Sequence, residues 1–249
     1  MNRWKASAAH LTICIVIAAA ILVLMLQAWF PPPYFSAQGG KELLLLIVGV
    51  DVVLGPLITL VIYKHGKKGL KFDLVVIALL QLSALGYGIV AISKARPVYM
   101  VFSIDRFELI NAKDINPADM RRATLNEFKS LPFTGPKLVA AKLPEDVQER
   151  NDLMFSSFSG GADLATLPKY YVPYQSLKQE VIDHLRPLSR LAASAKQSNI
   201  DISQVVKDTG LAENELGFLP ISTAKDHLAA IVNRKSAEIM DVIPVDPWV

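Results

Sequence analysis

Few residues in this sequence are placed to do chemistry, and the most telling is one acid, Asp51, inside a long apolar run. A lone carboxylate in an apolar helix is costly, so such a residue marks a functional or partner-binding position by default. Gly49 precedes it and Gly55-Pro56 follows it. Glycine permits close approach of a second helix, and proline removes a backbone donor and kinks its own helix. Two readings of Asp51 stand side by side. In one it is protonated glue, hydrogen-bonded to Gln81 of a neighbouring apolar run at a depth about one helical turn away. In the other it serves a partner or a function. Ala84 and Gly88, also in that neighbouring run, form a small-xxx-small pair of the kind found where helices associate.

Signatures of catalysis are missing. The histidines His10, His65, His184 and His227 are scattered, and no zinc-protease, nucleophile-elbow, phosphate-loop or dinucleotide motif occurs. Glu145, Asp146 and Glu149 cluster, but at the start of a predicted helix, where acids favour the macrodipole. Cys14 is the only cysteine, so a multi-cysteine zinc site is excluded. No catalytic residue, metal or cofactor is expected.

The elements that carry these residues are apolar helices. The chain has 249 residues, is 52% hydrophobic and carries 20% charged residues. Residues 1–93 hold seven Lys/Arg and three acids, whereas residues 94–249 hold nineteen and twenty. The net positive charge therefore belongs to the N-terminal third, which argues against nucleic-acid binding on a folded basic face. Leu11–Trp29 is long enough to cross the bilayer core and runs into Phe30 and three prolines, so it reads as an uncleaved signal anchor. Leu43–Tyr63 holds fifteen Leu, Ile or Val residues, which outweigh the cost of Asp51. Phe72–Ile92 is a third span, interrupted by Asp73 and Gln81. A purely soluble protein is excluded. Lys64, Lys67, Lys68 and Lys71 crowd the loop between spans two and three, which sets that loop and the N-terminus in the cytoplasm. The same lysines are placed to meet anionic lipid. With three spans, everything after Ile92 falls outside.

Residues 94–249 read as a small α+β domain with a mainly antiparallel sheet. Strands are expected over Val98–Phe102 and Phe107–Ile110, over Lys137–Lys142, and as a hairpin from Leu228–Val232 to Glu238–Val245. Helices are expected over Pro117–Phe128, Pro144–Phe158, Gln175–Arg186, Leu188–Ala195 and Ile202–Asp208. Ala162–Tyr174 reads as an irregular segment, either a packed connection or a recognition surface.

A linked set of short motifs adds a family resemblance. It comprises Gly49-Val50-Asp51, Leu54 to Leu60, Lys64, Gly66-Lys67-Lys68 and Leu70 to Leu74. It continues through Gln81-Leu82, Arg96 to Tyr99 and Asp105-Arg106-Phe107. This set resembles type IV pilin accessory proteins of the TfpX/TfpZ kind, densely from about residue 45 to 110. The resemblance implies a non-enzymatic protein of a Gram-negative inner membrane, multi-pass, with a periplasmic C-terminal domain. It implies a type IV major pilin as partner, other pilus assembly components as further contacts, and an influence on the balance of extension and retraction. The competing reading is an extracytoplasmic ligand sensor or signalling subunit, which lacks a cytoplasmic output domain here. A membrane enzyme using Asp51 as acid or base lacks the paired groups that such work needs.

Overall fold

The computed structural model describes residues 2–248 and opens with three long helices. They are α1 (Arg3–Trp29), α2 (Gly40–Ile62) and α3 (Leu70–Ala95), each long and apolar enough to cross a membrane. Asn2 caps α1 by accepting the Trp4 and Lys5 backbone N–H groups. Much of the helices' apolar surface is uncovered: Ile13, Leu45, Val61 and Leu80 all project outward. Water would penalise that surface and hydrocarbon would not.

In α2 the backbone widens into π-helical turns over Val48–Leu54, the segment that carries Asp51. Pro56 is the physical cause. It has no N–H to give, and the Gly55 N–H instead reaches back five residues to the Val50 carbonyl. Helix α2 packs against both α1 and α3. The bundle closes tightly at one end only, where Ile21, Met25, Trp29, Phe30, Ile47 and Ile92 form a core.

Beyond Arg96 the chain folds into a single sheet made of β1 (Pro97–Ser103), β2 (Arg106–Asn111), β3 (Lys137–Ala141), β4 (Tyr171–Pro173), β5 (Leu216–Ser222), β6 (Leu228–Asn233) and β7 (Ile239–Ile243). The spatial order is β4-β3-β1-β2-β5-β6-β7. Hairpin-like neighbours pair antiparallel, but β1–β3 and β2–β5 pair parallel. The sheet is therefore mixed, which corrects the expectation of a mainly antiparallel one. Parallel joints need long crossovers, and these leave no local signal of the kind a hairpin turn leaves.

Strand β1 lies between β3 and β2 and is wholly buried, with Met100 and Phe102 in one core and Tyr99 and Val101 in the other. Around the sheet lie α4 (Val147–Phe158), α5 (Lys178–Asp183), α6 (Ala192–Gln197) and α7 (Ile202–Thr209). The helix expected over Pro117–Phe128 is only one turn, Pro117–Met120, followed by a 3-10 turn at Asn126–Phe128. Ala123 and Phe128 both turn into the core. A continuous helix would set residues five apart about 140° apart and could not bury both.

One contact fixes how the two parts meet. The short segment between α1 and α2 lies on the sheet domain and contributes Ala37 to its core. Buried Gln38 donates to the Leu109 carbonyl at 3.1 Å and accepts the Ala224 N–H at 3.2 Å. The Gly135 N–H donates to the Ala28 carbonyl at 3.1 Å. The sheet domain thus sits at the closed end of the helices. The Lys64–Lys71 loop lies at the other end of α2, about 35 Å of helix away.

Candidate functional site

Toward the lysine loop the three helices part and leave a partly open cavity of about 440 Å³. Its walls are nearly all apolar, with Ala6, Ile13 and Ile17 from α1 and Leu74, Ile77 and Leu85 from α3. Asp51, Gln81, Cys14, His10 and Thr59 supply its polar points. Alternation of small and polar residues at helical spacing, Ala6, His10 and Cys14, brings one face of α1 to it.

Asp51 is 6% exposed, and its carboxyl Oδ1 is buried without a hydrogen-bond partner. Gln81 is close, but it does not bond that carboxyl group. Its Nε2 donates to the Asp51 main-chain carbonyl at 3.4 Å and approaches the Cys14 Sγ at 4.0 Å. The glue reading is therefore corrected in its geometry. Gln81 ties α3 to the backbone of α2, using a carbonyl in the π-helical turn, and the Asp51 side chain is left free.

Gly55 makes that tie possible. A Cβ on Gly55 would stand 2.8 Å from Gln81 Cδ and closer still to Nε2. Pro56 is buried, and its carbonyl accepts the Ser7 hydroxyl of α1 at 2.9 Å. Gly49 has a different situation: a Cβ there would meet nothing within 4 Å, so no helix of this chain uses it. Gly88 lies against Ile47 of α2, while Ala84 is exposed, so the two do not form one contact.

His10 was not expected here. Its Nδ1 lies 2.6 Å from the Thr59 Oγ1, a second polar link from α1 to α2. The signal was present in the spacing of His10 and Cys14, one helical turn apart and on the same face. In the loop below, Lys64, Lys67, Lys68 and Lys71 are all exposed, and Lys67 pairs with Asp73 at 2.6 Å. Among the described residues no cluster of His, Cys, Asp or Glu is arranged to hold a metal ion.

Comparison with known proteins then decides the family. A fimbrial assembly protein of Dichelobacter nodosus, serogroup I, is 31% identical over 208 residues, covering 82% of this chain and 79% of the relative. The chain belongs to the fimbrial assembly protein family. The serogroup E1 protein of the same organism is 30% identical over the same coverage. The protein of serogroups C1 and C2 is 41% identical over 73 residues, 28% of this chain and 55% of the relative. The family model for the fimbrial assembly protein FimB matches residues 1–39. That stretch takes in α1 with Cys14 and His10, and the segment whose Gln38 seats the sheet domain. No solved structure matches this fimbrial assembly protein.

Proposed function

We propose that this chain is a non-enzymatic accessory factor of the inner membrane that binds a type IV major pilin and promotes its assembly into the fibre. Its three helices span the membrane, with the N-terminus and the Lys64–Lys71 loop in the cytoplasm and the sheet domain in the periplasm. The lysine-rich loop and the packing of the sheet domain at the opposite end of the helices both support this orientation. The exposed lysines meet inner-membrane lipid head groups. An effect on the balance between extension and retraction, as in TfpX/TfpZ-like proteins, follows from holding pilin in the membrane.

One observation carries the reading. The cavity between the helices is only partly enclosed, and it is lined by Asp51, whose buried carboxyl oxygen no group of this chain satisfies. A polar atom in that state is expensive in hydrocarbon and cheap once a partner supplies a donor. An apolar membrane helix carrying one such donor fits both the walls and the acid. Pilin, held in the membrane before assembly, is the partner that the family's role in fimbrial assembly favours.

Cys14 offers the test, because the only cysteine of the chain lines this cavity. Single cysteines are placed along the apolar helix of the cognate pilin, and membranes are treated with copper phenanthroline. Disulfide-linked heterodimers should form at positions three or four residues apart, on one face of the pilin helix. Cross-linking at no position, with Cys14 still open to a membrane-permeant maleimide, would overturn the proposal.

A further inference from the structure

The sheet domain holds a second cavity, of about 350 Å³, separate from the one between the helices. Its floor is Glu108, in the middle of β2. The neighbours of Glu108 on that strand, Phe107 and Leu109, face one core, and Ile110 faces the other. Glu108 therefore points to the same side as Ile110, where an apolar residue would be expected. Helix α4 covers that side and closes the cavity with Leu153, Met154 and Phe158.

The charges around Glu108 are unevenly matched. Asp105, at the rim, is paired with Arg106 at 2.8 Å and with Arg186 at 3.6 Å. Both arginines also lie over the Trp248 ring, at 5.1 and 5.8 Å. Asp163 faces Glu108 from the segment after α4 and is occupied only by backbone, accepting the Leu164 N–H at 2.7 Å. Arg106 also lines the cavity, and it and the Ser103 hydroxyl favour the charged form of Glu108, but among the described residues no basic side chain forms an ion pair with Glu108 or Asp163. Burial and the nearby Asp163 push the Glu108 carboxyl up to about 7.

The rim is apolar and bare. On α4, Phe155 is 72% and Phe158 85% exposed, and Val147 and Met154 are exposed with them. These residues span twelve positions, about 16 Å of helix. Ile104 stands exposed on the opposite rim, at a φ of 61° that a β-branched residue rarely adopts. Contiguous bare apolar surface of this kind marks an interaction site.

We propose that this pocket binds a lysine or arginine side chain of a partner polypeptide, whose flanking apolar residues pack on the exposed face of α4. The two carboxyl groups Glu108 and Asp163, against the single Asp105-paired Arg106, leave a net negative charge for the incoming cation, which returns part of the desolvation cost of the half-buried Glu108. The apolar face is too long for a small amine alone.

The test uses the full chain in nanodiscs of neutral lipid, titrated calorimetrically at pH 8 with Ac-Ala-Leu-Lys-Leu-Ala-NH2, and empty nanodiscs serve as blank. The lysine peptide should bind at least tenfold more tightly than the same peptide with norleucine in place of lysine. Glu108→Gln should erase that preference, Phe158→Ser should weaken both peptides, and Asp51→Asn should change neither. The last arm separates this pocket from the pilin-binding cavity. Equal binding of the two peptides, no binding of either, or a preference that survives Glu108→Gln would overturn the proposal. So would displacement of the lysine peptide by equimolar n-butylamine.

Discussion

Gln81 of α3 reaches the main-chain carbonyl of Asp51 only because residue 55 of α2 has no side chain. This one approach couples the kinked middle of α2 to α3. The Gly55 backbone is helical, so alanine there suffers no dihedral strain, and the obstacle is the end of a flexible glutamine side chain. Gly55→Ala should therefore push Gln81 off its carbonyl and cost about 0.6 kcal/mol, the average of interhelical hydrogen bonds in membranes. Helix propensity returns part of that loss. In the background of Gln81→Ala the same change should be neutral or slightly stabilising. The difference is read by a double-mutant cycle on unfolding in mixed micelles. Additive losses would show that the two residues are not coupled.

Asp51 gives a sharper separation of stability from function. Its Oδ1 has no partner within the chain, so removing the carboxyl group breaks no internal bond at that atom. Asp51→Leu should leave abundance unchanged or raise it, and resistance to unfolding should rise by about 1 kcal/mol. Piliation should nevertheless fall sharply, because the donor that a partner brings loses its acceptor. Asp51→Asn keeps a polar atom but no charge, and its effect on piliation measures how much of the contact is ionic. Normal fibres from Asp51→Leu would remove this residue from the functional site.

Orientation can be read directly. With Cys14 replaced by serine, a cysteine at Lys235 should react with a membrane-impermeant maleimide in intact spheroplasts, and one at His65 should not. Both positions are exposed, so a failure to react reports sidedness and not burial. The reverse pattern would place the sheet domain in the cytoplasm.

The helices were legible from the sequence, since fifteen branched or linear aliphatic residues in one span leave little choice of environment. So were α4, whose start is marked by the acids Glu145 and Asp146, and the β6–β7 hairpin around Asn233-Arg234. Strand β5 was not legible. Gly217 and Pro220 both read as strand breakers, yet each has a reason that only tertiary structure supplies. A Cβ on Gly217 would stand 2.9 Å from Leu185 Cβ, and Pro220 precedes the two residues that pair with β2. The segment Ala162–Tyr174, read as irregular, instead holds two 3-10 turns and the edge strand β4, too short at three residues to show in the sequence, with Leu164, Ala165, Tyr171 and Tyr174 buried. In the apolar helices, Asp51 and Gln81 were both visible as polar residues in apolar runs. That Gln81 bonds a carbonyl was not, because the π-helical turn that presents this carbonyl arises from Pro56 five residues later.

Glu108 makes stability depend on pH in an unusual direction. Its folded pKa, about 7, lies above the ordinary carboxylate value of 4.5. Between these two values the folded chain holds a proton that the unfolded chain has released, so stability falls as pH rises. Below 4.5 the contribution is fully favourable, and above 7 the loss is complete. Glu108→Gln should be more stable than the native chain at pH 8, by roughly 1–3 kcal/mol, with the advantage shrinking toward pH 5. Near-UV circular dichroism during denaturant unfolding would follow it. An advantage that is constant with pH would mean that the acid is not desolvated.

Specificity for one pilin is expected to travel with the sheet domain, because exposed side-chain variety discriminates partners better than apolar packing does. The fold changes how that must be tested. Ala37 is part of the domain core, and Gln38 satisfies one carbonyl of β2 and one N–H beside β5. Exchanging residues 97–249 alone between two family members would set the wrong segment against that surface. The exchange would leave two main-chain groups unpaired, at about 1–3 kcal/mol each. A chimera that moves residues 31–39 together with 97–249 should accumulate normally and transfer pilin preference, while one that moves 97–249 alone should be degraded or poorly active. Piliation with two non-interchangeable pilins, scored against protein abundance, distinguishes these outcomes. If a well-accumulated chimera instead keeps the preference of its helices, discrimination resides in the cavity around Asp51, and the walls contributed by α1 and α3 become the positions to exchange next.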